Sequence, residues 1–111
     1  MPEFMLLMKG GDWSRIAPER QEEIVGAFIE WSRKLRRENR YVAGDDLGEA
    51  GKILEKEGDR FVDRPVTLGA DAVGGYFVIK AADYTEAVRV GEECPCFMFG
   101  GHLEIRQIVE H

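Results

Sequence analysis

At 111 residues, with 44% hydrophobic and 32% charged residues, the chain has the composition of one soluble globular domain large enough to bury a working core. Its net charge of −6 disfavours a general role on nucleic acid or an anionic membrane, since binding phosphate needs a basic face. No apolar run approaches the ~20 residues of a membrane span, and the run 4–8 is too short, with no basic leader, for a secretory signal, so a cytoplasmic protein with reduced cysteines is expected.

The first predicted element is Phe4-Met5-Leu6-Leu7-Met8. Its length and the Gly10-Gly11 that follows favour a central strand covered on both faces. Pro18 then stands where a helix would begin. Ile24, Phe28, Trp31 and Leu35 recur at spacings of four, three and four, with Val25 and Ile29 widening the stripe, which predicts a helix over 18–38. Glutamates early and Arg33, Lys34, Arg36 and Arg37 late complement its dipole. That basic run is read as a solvated helix end, because no aromatic residues interleave it for RNA contact.

A short extended segment over 41–43 is expected to break at Gly44-Asp45-Asp46. Residues 52–56 and 60–63 flank Glu57-Gly58-Asp59 and predict a hairpin. A loop over 65–72 should follow, then Gly74-Gly75 leading into a strand over 76–80. There Tyr76 and Phe77 must face opposite sides. Asp83 and Glu86 form a D-x-x-E capping pattern. Ala87, Val90, Gly91 and Cys94 share a helical face, and Pro95 prevents continuation. In the last strand, over 103–108, Leu103, Ile105 and Gln107 face one way and Glu104, Arg106 and Ile108 the other.

Two β-α-β units around a hairpin predict a ferredoxin-like α+β sandwich with an inserted hairpin, one domain over 1–111. Two helices cover one face of such a sheet. The other face needs water or a partner, and the long apolar strands favour a second copy, sheet against sheet.

In order along the chain, Phe4-Met5-Leu6-Leu7-Met8, Ala43-Gly44-Asp45-Asp46-Leu47, Val62-Asp63-Arg64-Pro65-Val66, Gly74-Gly75-Tyr76-Phe77, Glu86-Ala87-Val88, Cys94-Pro95 and Glu104-Ile105-Arg106-Gln107-Ile108 resemble the YCII-related (DGPF-domain) family of small bacterial proteins. The family's Asp-Gly-Pro-Phe signature stands here as Asp63-Arg64-Pro65-Val66, and its acidic, lysine-bearing run as Thr67-Leu68-Gly69-Ala70-Asp71. A His/Asp pair proposed in other branches has no counterpart, since the first 101 residues hold no histidine. The resemblance implies a homodimeric α+β barrel, an accessory role in some members linked to extracytoplasmic-function sigma factors, and no defined activity or cofactor. Related barrels include cofactor-free oxygenases and isomerases, a fold-level analogy only.

The residues themselves suggest a small-molecule pocket between the sheet and the 63–74 loop. Asp63 is a candidate general base, with capping of its turn as the plainer reading. His102 is a candidate acid–base group, otherwise a surface residue. Glu104 and Arg106 can bind a polar substrate, with Arg106 the anchor for a carboxylate, or form a structural ion pair. Trp13 is a candidate lid, with packing as its alternative. Asp45 and Asp46 read as a solvated turn ahead of a cation site. Cys94, Cys96 and His102 lack paired zinc spacing, and Cys94 fits a core position. The competing hypothesis is a non-enzymatic accessory or regulatory dimer acting through protein contacts.

Overall fold

The computed structural model describes residues 1–67, 69 and 72–111. In chain order the elements are β1 (Glu3–Gly10), α1 (Pro18–Arg37), β2 (Tyr41–Asp46), β3 (Lys52–Glu57), β4 (Arg60–Pro65), β5 (Val73–Lys80), α2 (Tyr84–Gly91) and β6 (Gly101–Gln107). Short 3₁₀ turns occur at Trp13–Arg15 and Pro95–Phe99. β1, β2, β5 and β6 form a four-stranded sheet in the order β2-β5-β1-β6, while β3 and β4 pair only with each other. Every pairing is antiparallel. This is the expected ferredoxin-like α+β arrangement with a hairpin inserted between β2 and β5. The expected 65–72 loop falls partly outside the described residues, because Leu68, Ala70 and Asp71 do.

The core lies between the sheet and its helices. Phe4, Leu6 and Met8 of β1 and Phe77 and Ile79 of β5 point to the helix side and are buried there with Trp31, Leu35, Ala87, Val90, Cys94 and Cys96. Phe77 is the hub of an aromatic group, edge-on to Trp31 with ring centroids 4.8 Å apart and stacked with Phe28 at 6.3 Å. The alternation in β1 accounts for this: Phe4, Leu6 and Met8 are buried, and Met5 and Leu7 are only half-buried. β1 is an inner strand as expected, but the helices cover only one of its faces.

α1 begins at Pro18 with no side-chain cap on Ala17, as proline at the first turn allows. Ile24, Trp31 and Leu35 are buried along its stripe. Val25 and Ile29, expected to widen that stripe, are exposed, because at 100° per residue they rotate past the sheet-facing sector. α2 is capped by Asp83, whose carboxylate accepts the Glu86 backbone N–H at 2.9 Å. The Glu86 carboxylate accepts the Ala82 N–H and the Arg40 guanidinium, at 3.1 and 2.6 Å. Arg40 also donates to the Lys80 carbonyl at 3.0 Å, so one side chain ties the end of α1 to the end of β5 and the start of α2. α2 stops at Gly91, three residues before the expected Cys94, and a turn carries the chain to Pro95.

An expected strand break, at Gly44, and an expected lead-in to a strand, at Gly75, are both strand interior. β2 continues through Gly44, where a Cβ would lie 2.8 Å from the Phe77 ring; the glycine lets that ring lie against the strand. Gly75 lies within β5, where a Cβ would come within 2.6 Å of the Met8 methyl group. Both glycines answer to packing rather than to a turn.

At the outer edge of the sheet, the Gln107 N–H donates to the Tyr84 hydroxyl at 2.8 Å, and the Tyr84 ring packs edge-on against Phe4. No helix among the described residues is long and apolar enough to cross a membrane.

Candidate functional site: the helix-free face of the sheet

Strand register determines what the helix-free face displays. Ala43, Val78, Met5 and Arg106 line up across the four strands, and Asp45, Tyr76, Leu7 and Glu104 form the next row. Lys9 lies opposite His102 beyond them. Both rows are polar at the β6 edge, and the second is polar at the β2 edge as well, through Asp45. Tyr76 therefore faces this side and Phe77 the helices, as their adjacency requires.

Along β6, Glu104 accepts from the Lys9 ammonium at 2.8 Å and from the Arg106 guanidinium at 3.2 Å. Lys9 is largely covered, its side chain 18% exposed, whereas Arg106 is open to solvent. The Lys9 bond, followed by that of Arg106, holds the Glu104 carboxyl below the usual carboxylate range. Across the sheet, the Tyr76 hydroxyl makes a long contact of 3.5 Å with the Asp45 carboxylate. This face thus offers a fixed carboxylate between two cations at one edge, a phenol beside a carboxylate at the other, and an apolar floor between them.

The Glu104 cluster gives a pH-dependent stability of defined sign. A folded-state carboxyl held below its unfolded value contributes fully above ~4.3, the ordinary carboxylate pKa, and loses that contribution as pH falls through the depressed value. The difference in melting temperature between wild type and Glu104→Gln should be constant near neutrality and close as the solution is acidified. A gap unchanged across the whole acid limb would show that Glu104 acts through packing alone.

His102, Glu104 and Arg106 share this face, as their alternation along β6 requires. Lys9 was missed by sequence reasoning, although the period of two that places Met5 and Leu7 here extends to it. Asp63 is elsewhere, on β4, half-exposed and paired with Lys52 at 2.9 Å. It sits inside a strand that runs two residues further, to Pro65, rather than at the start of a loop. The 63–74 segment expected to cover the pocket falls partly outside the described residues. Trp13 is on the helix side, edge-on to Phe99 at 5.4 Å, with its carbonyl accepting from Gln21.

Asp45 and Asp46 are consecutive in β2 and point to opposite faces, so they do not converge on one ion. Cys94 and Cys96 are buried in the core, on the far side of the sheet from His102. The hydrogen bond to Cys96, with burial, pushes the Cys94 thiol far above its ordinary range, opposite to what a nucleophile or metal ligand requires. Among the described residues no group of three or more His, Cys, Asp or Glu is placed to hold a metal. On the helix side, an open groove of about 570 Å³ runs between α1 and the 92–98 segment. It is bridged by Lys34 and Glu93 at 2.7 Å.

Compared with known proteins, residues 3–111 match the family model described as the YCII-related domain. No curated protein matches the chain.

Proposed function

This chain belongs to the YCII-related domain family, and from that premise we propose that it is a cytoplasmic homodimer that binds a small molecule on the helix-free face of its sheet. The observation that carries the reading is that face itself. Met5, Leu7, Tyr76 and Val78 form an apolar floor on a sheet with helices on one side only, and Lys9, Glu104 and Arg106 form a charged rim beside it. A sheet with helices on one face only is stabilised by packing its other apolar face against a further layer, and a second copy supplies one. Between two such faces, Arg106 is the anchor for an anionic group, through its planar fork of donors. His102 on the same strand is the group placed for proton transfer. Asp63 joins the site only if the hairpin carries it there, and Trp13 contributes at most from the rim.

The alternative, a regulatory dimer acting through protein contacts, draws on the exposed hairpin rather than on the sheet face. Native mass spectrometry of freshly purified protein separates the two. A dimer carrying a small co-purified adduct supports the binding reading, and loss of that adduct in Arg106→Ala assigns it to this face. An adduct-free dimer that captures a defined protein partner through the hairpin favours the regulatory reading. A monomer at micromolar concentration removes the dimer from both.

A further inference from the structure

The β3–β4 hairpin is an arm with its own unsatisfied surface. All of β4 is exposed, and on β3 only Ile53 is half-buried. Lys52, Leu54 and Lys56 share one face with Phe61, Asp63 and Pro65 by register. On that face Leu54 and Phe61 are each 67% exposed. The two-residue turn at Gly58-Asp59, with Gly58 at φ 61°, is the tight kind that keeps hairpin strands in register. The arm is therefore well formed yet uncovered, and a lone two-stranded hairpin is at best marginally stable in water.

The dimensions point the same way. The radius of gyration is 15.9 Å, against ~13 Å for a compact chain of this length. The molecule measures 49 × 43 × 18 Å, a slab of one sheet and one helix layer with the arm extending it. The uncovered sheet face is narrow: four strands at ~4.8 Å spacing and about seven residues long span roughly 19 by 23 Å, a projected area of ~440 Å². A stable interface takes about 800 Å² from each partner. Sheet-to-sheet contact alone falls well short, and the arm, inserted between β2 and β5, carries further exposed apolar surface in Leu54 and Phe61.

We propose that the arm crosses to a second copy of the chain and lays its Leu54–Phe61 face along the β6 border of that copy's helix-free face, beside the sheet-to-sheet contact, carrying Asp63 to that copy's Lys9–Glu104–Arg106 rim. This rests on the homodimer reading above. It gives each site residues from both copies: sheet residues from one, Asp63 and an apolar cover from the other. The site is incomplete in a monomer, and Asp63 regains a role that its own chain does not give it. The Lys52–Asp63 pair travels with the arm, so the carboxylate arrives with its ion-pair partner beside it.

The test uses full-length protein in two isotopic forms, mixed and equilibrated, then treated with an amine-reactive crosslinker. Links between Lys52 or Lys56 and Lys9 or Lys80 are expected in mixed-isotope pairs. In parallel, Leu54→Ser/Phe61→Ser should weaken the dimer at least about tenfold by sedimentation equilibrium, with an unchanged far-ultraviolet spectrum because both side chains are exposed. A wild-type dimer whose arm links stay within one isotope, or whose affinity the double substitution leaves alone, overturns the crossing arm while the dimer stands. A monomeric wild type overturns both.

Discussion

Replacing Phe77 with alanine should cost about 3–5 kcal/mol, the range for truncating a buried aromatic residue when the cavity left behind cannot collapse. Collapse is blocked here because the ring is held on several sides. Trp31 and Tyr41 meet it edge-on, Phe28 stacks on it, and the Gly44 backbone lies beneath it. Domains have only ~5–15 kcal/mol in total, so the loss is a large fraction of the whole, and at this length it lowers the melting temperature by roughly 15 °C. Tyr76→Ala is the matched control. Its side chain is one residue away but on the helix-free face, so at concentrations where the protein is monomeric it should shift melting by a few degrees at most. Equal losses at the two positions, measured by calorimetry, would contradict the one-sided core.

Met5→Asp should dissociate the proposed dimer while leaving the subunit folded. Met5 sits near the centre of the helix-free face, with Val78 on one side and Arg106 on the other. In a lone subunit the new carboxylate faces water and has Arg106 as its cross-strand neighbour. In a face-to-face pair it is buried against apolar side chains. An incompletely compensated buried charge costs about 3–5 kcal/mol, which weakens association by more than ~100-fold. The expected result is a monomer by light scattering with wild-type circular dichroism. A variant that stays dimeric at low micromolar concentration would place the interface elsewhere.

The elements set by local chemistry were legible in the sequence. Pro18 starts α1, Asp83 caps α2, and the Gly58 turn joins β3 to β4. The opposition of Tyr76 and Phe77, and of Leu103 and Glu104, follows from strand alternation alone. Gly44 and Gly75 misled because glycine reads locally as a break, whereas here it answers to a ring or a methyl group from a neighbouring strand. Arg40 was invisible for a related reason: its partners Lys80 and Glu86 lie 40 and 46 residues away. Of the candidate site, Glu104 and Arg106 were placed on one face by counting in twos, and the same count reaches His102 once β6 is seen to begin at Gly101. The positions of Asp63 and Trp13 relative to that face depend on where a hairpin and a turn project, and no periodicity encodes a direction.

The Tyr84 hydroxyl has a bearing on polymerisation. It occupies the Gln107 N–H at the outer border of β6, one of the donors an incoming strand would use to extend the sheet sideways. Charged Glu104 and Arg106 flank the same border. With that donor occupied, sideways extension at this border is disfavoured, whereas the face-to-face stacking proposed above would close after two subunits. The phenol thus favours a finite pair over an open-ended fibre, although it lies outside the surface on which the pair would form.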